Sequence, residues 1–265
     1  VTIVLDGPTG TELERRGVPS DPRAWSAPAV AAAPDVLGRI HADYAAAGAT
    51  VHTACTFRTK RRSVGPAWRD LAERAVAIAR ASVPATHRVA GSIAPLEDCY
   101  RPDLAPEARV LHAEHRELCE ALAGAGVDLL LCETFASPRE AVVATEEAAR
   151  TGLETWTALT AGPFGELLSP RALAEAAREC HAAGARVVLV NCVGWERLDP
   201  YVSEIANLGV PFGFYANAGN SAPSRRDYAA LVERWVREGL FAVGACCGLG
   251  PEHVAACAST VNKSS

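Results

Sequence analysis

Phe241-Ala242-Val243-Gly244-Ala245-Cys246-Cys247-Gly248, near the end of the chain, is an apolar run that stops at two adjacent cysteines held between glycines. A short run of this kind, bounded by a turn residue, reads as a strand buried on both faces that empties into a pair of thiols. The same arrangement occurs earlier, where Val187-Val188-Leu189-Val190-Asn191 runs into Cys192-Val193-Gly194. Strands without a polar face belong to parallel sheets covered by helices. The stretch therefore implies a fold that carries three sulfurs to the ends of two buried strands.

Reading outward, the alternation of strand and helix covers the whole chain. Val1 to Leu5 is β-branched and stops at the turn-forming Asp6-Gly7-Pro8-Thr9-Gly10. A helix is expected from Glu12 to Arg16, and after a Pro-rich loop another runs from Pro34 to Ala47, with Pro early and Gly48 just past its end. Strands are expected at 49–56, 88–93, 127–132, 155–160, 186–191, 211–216 and 241–246. Helices are expected at 68–82, 107–124, from Ser137-Pro138-Arg139-Glu140, from Ser169-Pro170, at 200–208, at 224–238 and from Pro251. Ser137 with Glu140 has the spacing of a capping box. Eight strands, each followed by a helical segment, require crossover connections and fit one closed (β/α)8 TIM barrel spanning residues 1–265 as a single domain.

The bulk composition agrees. The 265 residues are 49% hydrophobic and 22% charged, which suits a globular core and excludes disorder as the main state. A formal net charge of -5 gives no general attraction to nucleic acid or to an anionic membrane. The basic cluster Lys60-Arg61-Arg62 reads as a solvated loop. No N-terminal segment has the parts of a signal peptide and no apolar run reaches the roughly 18 residues of a membrane span, so a cytoplasmic location is expected. Nine cysteines cannot all pair within the chain, and reduced thiols fit that count.

In such a barrel the chemistry sits at the C-terminal ends of the strands. Asp6 would follow the first strand, Glu133 the fourth, Cys192 the sixth and Asn217 the seventh, with Cys246 and Cys247 at the end of the eighth. Neighbouring strand residues face opposite ways, so Cys246 and Cys247 can share an ion only if the strand has turned, which Gly248 permits. Three thiolates leave one position open on a tetrahedral zinc, the pattern of a catalytic site. Three small buried hydrophobes would have the same spacing. Asp6 reads equally as a turn brace and Asn217 as a turn residue, whereas Glu133, ending a fully apolar strand, needs a cation or donors.

The motifs Leu5-Asp6-Gly7-Pro8-Thr9-Gly10-Thr11-Glu12-Leu13, Gly91-Ser92-Ile93, Glu133-Thr134, Asn191-Cys192-Val193-Gly194, Asn217-Ala218-Gly219 and Gly244-Ala245-Cys246-Cys247-Gly248 with Pro251-Glu252-His253 together resemble the homocysteine S-methyltransferases, in order and over nearly the whole chain. The resemblance implies a zinc-dependent barrel in which Cys192, Cys246 and Cys247 hold Zn2+ while Asp6 and Glu133, with Asn217, bind homocysteine. It further implies methyl transfer to the homocysteine sulfur from a sulfonium such as S-methylmethionine or S-adenosylmethionine, giving methionine, with no nucleic-acid or membrane partner. His253 falls in the family's last motif and reads as structural. Three departures bear on the acceptor: Cys55 stands where an amide is common, Ala216 where Pro often precedes Asn-Ala-Gly, and Pro8-Thr9 alters the first loop. Selenohomocysteine or another small thiol stays open as acceptor. Two other functions also stay open: a homocysteine-binding subunit served by a partner methyl-donor protein, and a redox protein with a Cys246–Cys247 disulfide.

Overall fold

The computed structural model describes residues 2–264, so Val1, expected to open the first strand, lies outside the described residues. Eight parallel strands form the barrel: β1 (Ile3–Val4), β2 (Val51–Thr53), β3 (Arg88–Ile93), β4 (Leu129–Phe135), β5 (Glu154–Leu159), β6 (Val187–Gly194), β7 (Phe212–Asn217) and β8 (Ala242–Ala245). They pair in the order β1-β8-β7-β6-β5-β4-β3-β2. The parallel bridge between Leu5 and Val51, with Asp6 N donating to the Val51 carbonyl at 3.0 Å, joins the first strand to the second and closes the ring. This is the expected (β/α)8 barrel.

The helices are α1 (Thr9–Arg15), α2 (Ala29–Ala32), α3 (Pro34–Ala46), α4 (Arg61–Val64), α5 (Trp68–Ser82), α6 (Ala108–Gly124), α7 (Pro138–Ala149), α8 (Pro170–Ala182), α9 (Asp199–Ala206), α10 (Arg225–Arg237) and α11 (Pro251–Ser264). The short α2 and α4 were not legible as helices, since a single turn carries no periodicity to read. Among the described residues no helix is long and apolar enough to cross a membrane.

Strand parity divides the core in two. Leu5, Val51, Ala90, Leu129, Leu131, Val187, Leu189 and Ala242 belong to a cluster filling the barrel, whereas Val4, Val89, Leu130, Val188 and Val243 pack against the helices. Trp156, fully buried and edge-on to Phe241 with ring centroids 5.9 Å apart, plugs the N-terminal end. Its indole N–H donates to Glu154 at 2.7 Å.

Local chemistry fixes the helix starts. Ser137, Ser169 and Ser224 each accept a backbone N–H three residues on, from Glu140, Ala172 and Asp227, and Pro138 and Pro170 occupy the first helical positions. The expected capping box is only half made. The Glu140 carboxylate turns inward, accepting from Leu96 N at 2.7 Å and meeting buried His115 at 3.1 Å. The basic cluster also departs from expectation. Lys60 is buried, with Nζ donating to the Pro95 carbonyl and burial lowering its pKa to about 7. Arg62 meanwhile bridges Glu97 and Glu114.

Gly244 sets how closely β8 approaches β1. A Cβ there would lie 2.7 Å from that of Leu5 and 2.9 Å from the Asp6 carbonyl. Gly244→Ala should therefore destabilise the fold by about 1–3 kcal/mol through overpacking, seen as a lower urea midpoint. Gly124, at the end of α6, has open space around the same position, and Gly124→Ala should instead stabilise by about 0.4–1 kcal/mol.

Candidate active site

A cavity of about 520 Å³ opens at the C-terminal mouth of the barrel, and Asp6, Glu133, Cys192, Asn217, Cys246 and Cys247 all line it. The six residues singled out from the sequence are thus gathered at one place. Each arrives by a different local device.

Inward parity along β4 carries from Leu129 and Leu131 to Glu133, which therefore points into the cavity. Its carboxylate accepts hydrogen bonds from Ser92 Oγ and, at 2.9 Å, from the Tyr215 hydroxyl. Burial pushes its pKa up against those two bonds. The strand does not end at Glu133, as its sequence suggests, but continues to Phe135 through a register shift. Thr134 takes a positive φ of 65° at that bulge.

Parity would aim Cys192 the other way. Val187 and Leu189 face the barrel, so Asn191 should follow them inward and Cys192 should face the helices. A second register shift, between Asn191 and Gly194, reverses this, with Cys192 at φ 52°. A non-glycine residue in the left-handed region costs about 1–3 kcal/mol, and the bulge re-aims the side chain. The local structure is held from both sides. Asn191 Nδ2 donates to Thr134 Oγ1 at 2.8 Å, and Asn217 Nδ2 donates to the Cys192 carbonyl at 3.1 Å. Asn217 Oδ1 accepts from Gly219 N at 2.9 Å, so much of its amide is engaged by the chain itself.

Cys246 keeps the inward parity of Ala242 and Gly244 just beyond the end of β8. Cys247 reaches the same cavity because the chain turns there. Gly248 has φ 83° and donates its N–H to Thr11 Oγ1 at 3.1 Å, and the Cys247 carbonyl accepts from Ala218 N at 2.9 Å. The sulfurs of Cys192, Cys246 and Cys247 all lie within 4.8 Å of one another. Cys192 and Cys246 are joined as a disulfide, with Cα atoms 5.8 Å apart, and Cys247 Sγ is 4.0 Å from Cys246 Sγ. This differs from the expectation of reduced thiols and from a Cys246–Cys247 bond. Side chains close enough to share one ion are also close enough to bond to each other. Three soft sulfur donors converging on one point suit zinc or another thiophilic ion.

Asp6 follows outward-facing Val4 by two residues and lies against β2, accepting from Thr53 N at 2.8 Å and from Thr53 Oγ1 at 3.1 Å. Burial raises its pKa from 3.8 to about 8 against those bonds, with Glu133 adding to the rise. Ser92, Thr53 and Tyr215 were missed as site residues, although each stands on an inward register position that parity could have marked. Of the departures noted in the sequence, Cys55 packs behind the wall with Sγ 3.4 Å from Ser26 Oγ, and Ala54 lines the cavity in its place. Ala216 is buried in the helix-facing core, whereas Pro8 does line the cavity. His253 ties Gly250 N to the Pro223 carbonyl at the start of α11.

The charge of the cavity is one-sided. Asp6, Glu14 and Glu133 line it, and no Lys, Arg or His does so among the described residues.

Comparison with known proteins agrees with this geometry. A family model described as Homocysteine S-methyltransferase matches residues 3–261. The chain is 28% identical to homocysteine S-methyltransferase YbgG of Bacillus subtilis, covering 95% of this chain and 92% of that one. It is 29% identical to the homocysteine S-methyltransferase of Escherichia coli over 96% and 93% of the two chains. The metallated form of the homocysteine methyltransferase MmuM from Escherichia coli superposes with a TM-score of 0.84 at 25% identity, covering 98% of this chain and 96% of that one. The oxidized form of the same protein gives 0.84 at 27%. With the family match running nearly end to end, the chain belongs to the homocysteine S-methyltransferase family.

Proposed function

We propose that the chain is a zinc enzyme that moves a methyl group from a sulfonium donor, S-methylmethionine or S-adenosylmethionine, to the sulfur of homocysteine, giving methionine. The observation that carries this reading is the cavity in which carboxyl groups and cysteine sulfurs meet with no cationic side chain lining it among the described residues. Such a wall favours cationic ligands. Homocysteine brings an ammonium, and a sulfonium donor brings a second positive charge. A polyanionic methyl donor would meet only repulsion there.

Cys192, Cys246 and Cys247, once reduced, would hold zinc, which when bound favours loss of the acceptor thiol proton and keeps that sulfur nucleophilic at neutral pH. Glu133 and Asp6 would bind the homocysteine ammonium, with Asp6 giving up, as the cation arrives, the proton that burial holds on it in the empty site. Ser92, Tyr215 and Thr53 hold those two carboxylates in place. Asn217, besides any contact with substrate, holds the backbone of Cys192. Trp25, Phe57 and Tyr100 add aromatic side chains to the cavity wall, with Trp25 stacked on Phe57 and the Arg58 guanidinium 4.4 Å over the Trp25 ring. The acceptor sulfur attacks the donor methyl carbon in line as the donor's own sulfur–carbon bond breaks. The donor sulfur keeps that electron pair and leaves as a neutral thioether, so no acid is needed and the walls act by positioning and by excluding water.

Reduced, purified protein should hold about one zinc per chain at the three-cysteine site, as a catalytic site of that kind requires. It should convert homocysteine and a sulfonium donor to methionine without any other protein, and Cys247→Ser should lose both zinc and turnover. Absence of zinc after reconstitution would remove the reading. Turnover that requires an added methyl-donor protein would favour the binding-subunit alternative. A donor panel read by mass spectrometry separates S-methylmethionine from S-adenosylmethionine.

The raised Asp6 pKa also has a measurable sign. Between 3.8 and about 8 the folded chain holds a proton that the unfolded chain has lost, so this carboxyl makes stability fall as pH rises through that window. Asp6→Asn should flatten the fall in urea midpoint between about pH 5 and about pH 8 while weakening homocysteine binding in calorimetry.

A further inference from the structure

A second group of metal-binding side chains lies outside the cysteine cluster. Asp6 faces the layer between the barrel and α3, where it meets His41 of α3 and His52 of β2. One potential ligand atom from each of the three lies within 4.8 Å of the other two. His41 and His52 are fully buried and Asp6 is 4% exposed. Neither ring nitrogen of His41 has a hydrogen-bond partner, and neither does Nδ1 of His52. Burying an imidazole with both nitrogens unpaired, as at His41, is costly, and His52, next to the same carboxylate, leaves one ring nitrogen unpaired as well.

We propose that Asp6, His41 and His52 form a second cation site, for a divalent first-row transition metal ion, between the barrel and α3.

The surrounding contacts are those of a built site. His52 Nε2 lies 3.0 Å from His87 Nδ1, with the two rings stacked 7° from parallel. A proton on Nε2 in that bond leaves the Nδ1 lone pair of His52 free, and an outer partner of this kind is what orients a ligating histidine. The Asp6 carboxylate accepts two bonds from Thr53 and keeps lone pairs unused. Two imidazoles and one carboxylate suit zinc, iron, cobalt or nickel rather than calcium or magnesium. Asp6 also lines the main cavity, which gives an ion a way in.

The test uses Co2+ alone and a protein without the thiol site, so its outcome does not depend on the proposed methyl transfer. The metal-free variant Cys192→Ser/Cys246→Ser/Cys247→Ser, folded by circular dichroism, is titrated with Co2+ and followed by visible absorption. The expected result is about one Co2+ per chain, with d–d bands and no thiolate-to-metal charge-transfer band. His41→Gln and His52→Gln in that background should abolish the uptake, and His87→Ala should weaken it by about tenfold or more. In the unsubstituted reduced protein the same site should raise total bound metal to about two ions per chain, a measurement that stands even if the serine variant fails to fold. The proposal is overturned if the folded variant takes up no Co2+, if the histidine substitutions leave the uptake unchanged, or if the unsubstituted protein saturates at one ion.

Discussion

The left-handed backbone at Cys192 is the constraint on which the site depends. An ordinary extended residue there would send the sulfur into the helix layer and leave Cys246 and Cys247 without their third partner. The bulge that prevents this costs stability in itself. It persists because Asn191 and Asn217, from two strands, tie down the backbone on either side of it. Asn191 directly precedes Cys192 and Asn217 sits between two alanines, and their roles emerge only when the strands are laid side by side.

The second constraint is electrostatic. Burial raises the pKa of both cavity carboxylates, Asp6 and Glu133, and Glu133 adds to the rise at Asp6. No nearby cation relieves them within the described wall. The neutral donors Ser92, Tyr215 and Thr53 do part of that work. A site built this way is under-compensated when empty, and on the proposed function a positively charged guest would complete it. That is a common way for a binding site to draw on the stability of the rest of the fold.

Most of the barrel was readable because its strands are continuous apolar runs and its helices carry explicit start signals. α5 and β3 fall on the bounds that the periodicity predicts. The cysteines and Glu133 were readable for a related reason: polar or thiol residues that end an apolar run must be there for something. What escaped was geometry that does not repeat. The bulges at Thr134 and Cys192 break the strand period, the inward turn of Glu140 undoes half of its capping box, and Lys60 is buried although its neighbours suggest a solvated loop. Ser92, Thr53 and Tyr215 look like ordinary strand residues until partner strands set a carboxylate opposite each of them.

The Trp156 plug bears on how the site is reached. With the floor of the barrel filled by that indole, entry through the N-terminal end is blocked among the described residues, so on the proposed function both small molecules would come in by the C-terminal mouth. On the proposed chemistry, the acceptor, whose anchors lie deepest, takes its place before the donor closes over it, and the spent donor departs before the new thioether can follow. Sequential kinetics with a fixed order would then be a property of the scaffold, decided by one indole far from any reacting atom.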